Sequence, residues 1–136
     1  MQKVLKEKGY KITPARLAIL DVLNNTKLPL TAEEVYIELK KQKKHKEINE
    51  ATVYRTLSLF ENGKILKKID FRKGSAYFEL ADHHHHHIVC IKCEVVEDFH
   101  SNDVEKALGK VVHNSSKFIS INDHSLELFG VCKNCS

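Results

Sequence analysis

The sequence predicts an α+β fold in which an N-terminal winged helix-turn-helix precedes a small α/β domain. Three observations lead to this prediction. Capped segments with apolar residues at helical spacing occupy most of the first half, and two short β-favouring runs joined by a turn follow them. The second half mixes short strand-like runs with a single amphipathic helix. We therefore expect two domains, at residues 1–81 and 82–136.

The composition is that of a soluble globular chain. Of its 136 residues, 42% are hydrophobic and 29% are charged, which suits one domain or two small ones. No apolar run approaches the length that crosses a membrane, and residues 1–8 are too charged for a signal peptide. We expect a cytoplasmic protein with no membrane partner.

Local capping signals predict the helices of the first half. Thr13 is an N-cap before a proline at the first helical position. The run Thr31-Ala-Glu-Glu34 is a capping box, and Asn49 can cap a third helix that stops at Gly63. A shorter helix is expected over residues 2–8. The residues expected to face inward are Ala15, Ile19, Val22 and Leu23, then Ala32, Val35, Tyr36 and Leu39, then Val53, Leu57 and Phe60.

A hairpin is predicted after these helices, because residues 65–71 and 76–80 are β-favouring runs joined by a basic turn. Helices followed by such a hairpin form a winged helix-turn-helix, whose last helix enters the DNA major groove. A guanidinium on that helix can grip guanine, and a phenol ring can pack on a thymine methyl group. The face opposite the apolar stripe holds Ala51, Tyr54, Arg55 and Ser58.

Charge is distributed unequally between the two halves. Residues 1–81 hold 17 Lys+Arg against 10 Asp+Glu, a net charge of +7, whereas residues 82–136 hold 5 against 8, a net charge of −3. This asymmetry suggests nucleic acid as the partner of the first half and metal as the partner of the second. The alternative is that the lysines only keep the surface soluble. Side chains expected to contribute phosphate or minor-groove contacts are Lys11, Arg16, Arg72 and Lys73.

Four cysteines form two Cys-x-x-Cys pairs, Cys90 with Cys93 and Cys132 with Cys135. Disulfides are disfavoured in a cytosolic chain, and two such pairs supply four soft thiolates at the spacing that a tetrahedral zinc site needs. The rival interpretation is a redox pair, which requires only one Cys-x-x-Cys and leaves the other unexplained. The spacing therefore predicts a four-cysteine zinc site.

Five consecutive histidines, residues 83–87, lead into the first cysteine pair. If residues 82–90 are extended, His83, His85 and His87 point to one face and His84 and His86 to the other. One metal site could then form on each face. Imidazoles together with carboxylates favour borderline divalent metals such as Fe, Mn, Zn, Co or Ni. The available partners are Glu79, Glu97, Asp98, Glu105 and His124.

The remaining elements of the second half carry those partners. Residues 95–99 predict a strand beside the histidines, and His124 begins a strand over residues 124–129. Asn102 caps a helix whose first turn holds Glu105. Two plainer interpretations compete, in which Glu105 only caps its helix and His124 is a hydrogen-bonded core histidine. The helix residues expected to face inward are Val104, Leu108, Val111 and Val112.

Taken together, these motifs resemble the ferric uptake regulator family of metal-responsive repressors, and the resemblance covers nearly the whole chain. It implies an N-terminal winged helix, a C-terminal α/β dimerisation domain and a homodimer on a palindromic, AT-rich operator in double-stranded DNA. The motifs that carry it are Gly9-Tyr-Lys-Ile-Thr-Pro-Ala-Arg16, Thr31-Ala-Glu-Glu-Val-Tyr36, Ala51-Thr-Val-Tyr-Arg55, Phe78-Glu79, the histidine run, His124-Ser-Leu126 and the two Cys-x-x-Cys pairs.

The resemblance also implies roles for individual residues. A structural zinc would be held by Cys90, Cys93, Cys132 and Cys135. A regulatory site between the domains would use Glu79, His85, His87 and Asp98. A further site would use His84, His86, Glu105 and His124. Bases would be read by Tyr54 and Arg55, and a minor groove would be reached by Lys11.

One position departs from the family pattern. The family usually has a histidine two residues before the Thr or Ser that opens the capping box, and here that position is Pro29. The interdomain site therefore lacks its usual ligand from the winged helix. We expect an iron-responsive repressor in which Fe(II), or Mn or Zn, is the regulatory metal and Zn is structural. The alternatives are a peroxide-sensing regulator, which Asp98 favours, and a zinc-uptake regulator. A metal-dependent hydrolase is the alternative from a different class, although no residue marks its acid or base.

Overall fold

The computed structural model describes residues 1–82 and 84–136 and divides the chain into two compact units, Met1–His83 and His84–Ser136. Each unit combines helical structure with a three-stranded sheet, which confirms the predicted α+β class. Within the described residues, no helix has both the length and the apolar composition needed to cross a membrane.

Capped helices build most of the first unit. Thr13 and Asn49 each accept a hydrogen bond from an amide of the first helical turn, and Thr31 forms a reciprocal capping box with Glu34. Each cap satisfies a backbone N–H group that the first turn leaves without a partner, so the predicted helix starts are confirmed. The helices are α1 (Gln2–Glu7), α2 (Pro14–Asn25), α3 (Ala32–Lys41) and α4 (Glu50–Asn62), with a 3-10 turn at Lys43–His45.

Gly63 ends α4 as predicted, but a close contact explains the glycine. A glycine after a helix often adopts the left-handed conformation, whereas Gly63 has φ −79° and the left-handed residue is Lys64 at φ 57°. A Cβ atom at position 63 would lie 2.9 Å from carbons of the Tyr10 ring. The Tyr10 hydroxyl also donates to the Leu59 carbonyl at 3.3 Å. A larger residue at position 63 would therefore force the Tyr10 ring to move.

An antiparallel sheet completes the first unit, with β1 (Leu30–Thr31), β2 (Leu66–Asp70) and β3 (Ala76–Leu80) in the order β1-β3-β2. The β2–β3 hairpin is the predicted wing. Its turn contains Gly74 at φ 82°, a left-handed conformation that glycine adopts without strain. Strand β1 was not predicted, because two residues carry no periodicity and only pairing with β3 defines them.

The core of the first unit joins all four helices to the sheet. Burying one stripe of α4 in this core leaves the opposite stripe of the helix facing solvent. The predicted inward residues that are fully buried are Ile19, Val35, Leu39, Val53, Leu57 and Phe60, and Leu5 and Leu20 join them.

The second unit is a sheet with one helix, made of β4 (His86–Cys90), β5 (Val96–Phe99), α5 (Asn102–His113) and β6 (Glu127–Gly130). Its strand order is β5-β4-β6, so β4 is central. Strand β5 pairs antiparallel to β4, whereas β6 pairs parallel to it. A parallel pair needs a crossover connection, and α5 lies in that connection. A 3-10 turn at Lys133–Cys135 follows β6.

Two predicted boundaries in the second unit were wrong. Ser101, not Asn102, caps α5, and its hydroxyl accepts an amide hydrogen of the first turn at 3.3 Å. Both residue types cap helices well, so local sequence did not decide between them. Strand β6 begins at Glu127 rather than His124, because its pairing with β4 starts where Glu127 lies opposite His87.

The apolar face of α5 is less buried than predicted. Val104, Leu108 and Val112 are half-buried, and Val111 is 63% exposed. None of the residues of α5 is fully buried. The prediction that all four side chains point into a core was wrong for this single chain, because one small sheet supplies too little apolar surface to cover the helix.

Candidate metal centres and nucleic-acid face

Histidine side chains of strand β4 project from both faces of the sheet. His86 and His87 are consecutive, so their side chains point to opposite faces, and each is 2% exposed. The ring of His84 lies 4.9 Å from that of His86, and the ring of His85 lies 4.8 Å from that of His87. The alternation expected from an extended strand is therefore observed. His83, expected on the His85 face, lies outside the described residues.

The His84 face gathers four side chains from three parts of the second unit. His84 and His86 come from the histidine run, Glu105 from the first turn of α5, and His124 from the loop before β6. Glu105 Oε1 lies 2.9 Å from His84 Nε2 and 2.6 Å from His86 Nε2, and Glu105 Oε2 lies 3.3 Å from His124 Nε2. One ligand atom from each residue lies within 4.8 Å of the others. We call these four residues the Glu105 cluster.

Hydrogen bonding holds Glu105 in its charged form. The pKa of the Glu105 carboxyl is lowered from 4.5 to about 2, first by hydrogen bonds to His86 and then His84, and to a lesser extent by the charges of His84 and His124. Partial burial acts in the opposite direction but is the smaller effect. Glu105 is therefore a carboxylate at neutral pH, with its oxygens directed at three imidazoles.

The Glu105 cluster has the donor chemistry of a divalent metal site. Three imidazoles and one carboxylate match the ligands that zinc, iron and their neighbours accept. The buried Nε2 atom of His124 lies 3.3 Å from Glu105 Oε2 without the geometry of a hydrogen bond, so this nitrogen is available as a ligand to a metal ion. The interpretation that Glu105 only caps its helix loses support, because Ser101 is the cap. The interpretation that His124 is a hydrogen-bonded core histidine also loses support, because its Nε2 atom makes no hydrogen bond within the described structure.

A pocket of about 390 Å³ opens onto the cluster, and it contains residues that the sequence did not single out. It is lined by His84, Glu105 and His124 together with Asn122 and Asp123, among others. Asp123 also accepts a hydrogen bond from the His124 amide at 2.9 Å, which orients the start of this loop segment. Adjacency to His124 was the only signal in the sequence for either residue. The pocket gives solvent, and hence an ion, access to the cluster.

The opposite face of β4 carries a second group of predicted ligands. His87 lies opposite Asp98 in the β4–β5 pairing, and His87 Nε2 is 3.8 Å from Asp98 Oδ1. The ring of His85 lies beside that of His87. Glu79 belongs to β3 of the first unit, where Pro29 is also buried. Within the second unit the predicted pairing of His87 with Asp98 is therefore present, and the contribution of Glu79 stays a prediction.

Parallel pairing of β4 with β6 brings the four cysteines together. Cys90 ends β4 opposite Gly130 of β6, and the second cysteine pair follows directly in the chain. Their four sulfurs lie within 4.8 Å of one another, and Cys93 Sγ is 3.6 Å from Cys132 Sγ. Residues 39 positions apart in sequence thus form one compact sulfur cluster.

The electrostatics of this sulfur cluster favour a bound cation. Backbone N–H groups, that of Cys93 first, lower the pKa of Cys90 to about 6. Neighbouring sulfurs, that of Cys132 first, raise the pKa of Cys135 to about 12. Thiolates this close repel one another, so they cannot all ionise unless a positive charge lies among them. Four cysteine sulfurs are the donor set of structural zinc.

The exposed stripe of α4 carries the residues predicted to read bases. Tyr54 is 51% exposed, and Ala51, Arg55 and Ser58 are exposed as well. The buried stripe of the same helix fixes this orientation, since Val53 and Leu57 are fully buried. A phenol and a guanidinium therefore stand side by side on one accessible helix face.

Basic side chains near the ends of other elements are held in defined positions. Arg16 Nη1 donates to the Lys11 carbonyl at 2.6 Å, and the Arg16 guanidinium lies 5.8 Å from the centroid of the Tyr10 ring. Arg16 therefore braces the segment before α2, while the Lys11 side chain is exposed. On the wing, Lys73 Nζ lies 5.6 Å from the centroid of the Tyr77 ring, a cation–π contact.

Comparison with known proteins identifies the relatives of the chain. The model of the Ferric uptake regulator family matches residues 7–129. A ferric uptake regulation protein from Bordetella parapertussis is 41% identical over 136 residues, which cover 98% of this chain and 95% of the relative. A peroxide operon regulator from Bacillus subtilis is 32% identical over 134 residues, covering 98% and 90%. The solved structure of a ferric uptake regulator from Pseudomonas aeruginosa with manganese has a TM-score of 0.85 and 31% identity, covering 97% of both chains.

Proposed function

The chain belongs to the ferric uptake regulator family, and from this premise we propose that it is a cytoplasmic, dimeric transcriptional repressor whose operator binding requires ferrous iron. Members of this family are metal-responsive transcriptional regulators rather than enzymes, so the hydrolase alternative is set aside. The observation that carries the metal requirement is the convergence of three imidazoles on the Glu105 carboxylate.

In this proposal the first unit binds DNA. Helix α4 enters the major groove, where Arg55 donates to guanine and the Tyr54 ring packs on a thymine methyl group. Lys11 reaches a minor groove, and Arg16 and Lys73 support phosphate contacts. The exposure of the α4 face and the net charge of +7 over residues 1–81 support this assignment.

The second unit forms the dimer in this proposal. Regulators of this family bind DNA as dimers. The apolar face of α5, with Val111 63% exposed, is surface that a second copy would remove from water. A two-fold dimer presents two copies of α4 related by symmetry, which accounts for a palindromic operator.

Metal binding is assigned to three groups of residues. Cys90, Cys93, Cys132 and Cys135 hold a structural zinc that crosslinks the ends of the second unit. The Glu105 cluster is a regulatory site, and a second regulatory set is formed by Glu79, His85, His87 and Asp98. A divalent cation supplies positive charge that neutralises the carboxylate and orders the imidazoles. Metal favours DNA binding only to the extent that the DNA-competent form binds metal more tightly than other forms do.

A peroxide-sensing regulator is the second candidate function. The observation that favours it is the Asp98 carboxylate, 3.8 Å from His87 Nε2, and the similarity to a peroxide operon regulator agrees with it. The discriminating measurement is operator affinity of the iron-loaded and manganese-loaded proteins before and after peroxide. Loss of affinity in the iron-loaded protein alone would establish peroxide sensing.

The experiment that tests the main proposal begins by selecting duplexes from a random DNA library with the Fe²⁺-loaded protein under anaerobic conditions. We expect an AT-rich palindrome. Fluorescence anisotropy then measures affinity for that duplex, and for a scrambled duplex of equal composition, against buffered Fe²⁺, Mn²⁺, Co²⁺ and Zn²⁺. We expect Fe²⁺ to restore the palindrome binding of the metal-depleted protein at a concentration that a cell sustains for Fe²⁺. The other ions should restore binding only above the concentrations that a cell sustains for them. Recovery of no palindrome, or equal affinity with and without metal, would contradict the proposal.

A further inference from the structure

We propose that the buried imidazole of His86 makes the Glu105 cluster discriminate against Mn²⁺ in favour of Fe²⁺, Co²⁺ and Zn²⁺. This inference rests on the proposed function, since it concerns which ion one of the two regulatory sites admits. It follows from the donor atoms of the cluster and from the burial of one of them.

The Glu105 cluster is rich in nitrogen. Three of its four donor residues are histidines, and its one carboxylate is Glu105. Mn²⁺ is a hard cation that prefers carboxylate, carbonyl and water oxygens, whereas imidazole suits iron, cobalt and zinc. Mn²⁺ also stands lowest in the general affinity order of divalent first-row metals. A site with one carboxylate among four donors therefore gives Mn²⁺ little of the oxygen ligation that would offset its rank.

The two predicted regulatory sets differ in this respect. The set on the other face of β4 combines His85 and His87 with Asp98, and with Glu79 as its fourth predicted member, so half of its donors are carboxylates. That composition is more tolerant of Mn²⁺. One face of β4 thus carries a nitrogen-rich set, the other predicted set contains more carboxylate, and selectivity against Mn²⁺ is assigned to the nitrogen-rich one.

His86 is the ligand of the cluster whose place a water molecule cannot take, because its side chain is buried. Its side chain is 2% exposed on the central strand of the sheet, and its ring packs 5.4 Å from the ring of Phe99. Its Nε2 atom is directed at Glu105 at 2.6 Å. The side chain of His84, in contrast, is 40% exposed, so water has access to its position. Any ion that binds beside Glu105 therefore meets the His86 nitrogen.

The test measures a ratio of affinities in the full-length protein. The parent protein for this test is loaded with one zinc per chain at the cysteines. It also contains the substitution His85→Ala, which weakens metal binding by the other set. Co²⁺ is titrated and followed by its visible ligand-field absorption, and Mn²⁺ is then used as a competitor. We expect the parent to prefer Co²⁺, and His86→Asp to lower the Co²⁺-to-Mn²⁺ affinity ratio by roughly tenfold or more. A ratio is used because an added carboxylate attracts every cation.

Controls separate donor type from charge and from folding. His100→Asp adds the same charge at an exposed histidine of the second unit and should leave the ratio unchanged. His124→Ala should weaken the Co²⁺ signal, which assigns that signal to the cluster. If His86→Asp does not fold, His84→Asp replaces a more exposed imidazole beside the same carboxylate and should shift the ratio in the same direction.

Two results would overturn the inference. One is a parent protein that binds Mn²⁺ as tightly as Co²⁺ at this site. The other is a folded His86→Asp variant, or failing that His84→Asp, whose affinity ratio equals that of the parent. Neither result bears on operator recognition, because the measurement contains no DNA. Failure of the inference is thereby distinguished from failure of the proposed function.

Discussion

His86 Nε2 lies 2.6 Å from Glu105 Oε1, and this hydrogen bond links the central strand of the second unit to the first turn of α5. The histidine is buried and the carboxylate is held ionised, so the link is a charge-assisted hydrogen bond in a partly dry environment. His84 and His124 approach the same carboxylate. Contacts among these four side chains therefore bring the donor atoms of the cluster together.

Glu105→Gln should remove a contribution to stability that depends on pH. The pKa of Glu105 is lowered from 4.5 to about 2 in the folded protein. A depressed carboxyl pKa stabilises the fold fully above the unfolded value of 4.5, and this contribution is lost as pH falls through about 2. Urea unfolding of both proteins without added metal should show a gap near pH 6 that closes toward pH 2. Asp103→Asn, in the same helical turn, is the control and should show a smaller change in its gap.

His124→Ala should reduce metal-dependent operator affinity more than His85→Ala does. The Glu105 cluster has all four of its predicted ligands in the second unit, whereas the set containing His85 has Pro29 where the family usually supplies a histidine. A lost imidazole is rarely replaced by groups outside the first ligand shell. Anisotropy against buffered metal checks the ranking. A His124→Ala protein that responds like the parent, beside an unresponsive His85→Ala protein, would reverse it.

Cys132→Ser should release the structural zinc and dissociate the dimer. Its sulfur lies 3.6 Å from Cys93 Sγ, and loss of one ligand from a site that joins both ends of the unit couples metal release to unfolding. Zinc content by mass spectrometry and molar mass by light scattering measure the two effects. Asn134→Ser, between the two cysteines of the same pair, is the matched control and should keep both zinc and dimer. A Cys132→Ser protein that remains dimeric and zinc-loaded would show that the site is not structural.

Arg55→Ala should weaken operator binding by about 1–3 kcal/mol and relax sequence preference, if the guanidinium is bidentate to guanine. Its exposure on α4 means that folding should be unaffected. Affinity for the selected palindrome and for single-base variants of it measures both effects. Lys43→Ala removes an exposed positive charge from the 3-10 turn before α4 and serves as the control. Unchanged operator affinity in Arg55→Ala would mean that α4 does not read the bases.

Lys73→Ala should weaken binding to all duplexes by a similar factor. The ammonium group is positioned at the wing by the Tyr77 ring, and a contact to phosphate carries no sequence information. The slope of log affinity against log salt should become shallower by about 0.9 for one lost phosphate contact. A loss confined to the selected palindrome would instead assign Lys73 to base recognition.

Short-range signals in the sequence determined much of the fold and of the candidate sites. The caps at Thr13, Thr31 and Asn49 were predictable because a side chain and the amide it caps lie within three residues. The division of His84 and His86 from His85 and His87 was predictable because side chains alternate along any extended strand. The spacing of the cysteines likewise indicated one zinc site.

Only the tertiary structure decided features that depend on residues far apart in the chain. The parallel pairing of β4 with β6 sets where β6 begins, places His124 in the preceding loop and brings Cys90 toward Cys132. The approach of Tyr10, between α1 and α2, to Gly63 at the end of α4 required packing between segments far apart in the chain. The exposure of Val111 depended on how much apolar surface the rest of its unit could offer. Local propensity does not describe long-range pairing or burial. These features therefore depend on the tertiary structure of the whole chain.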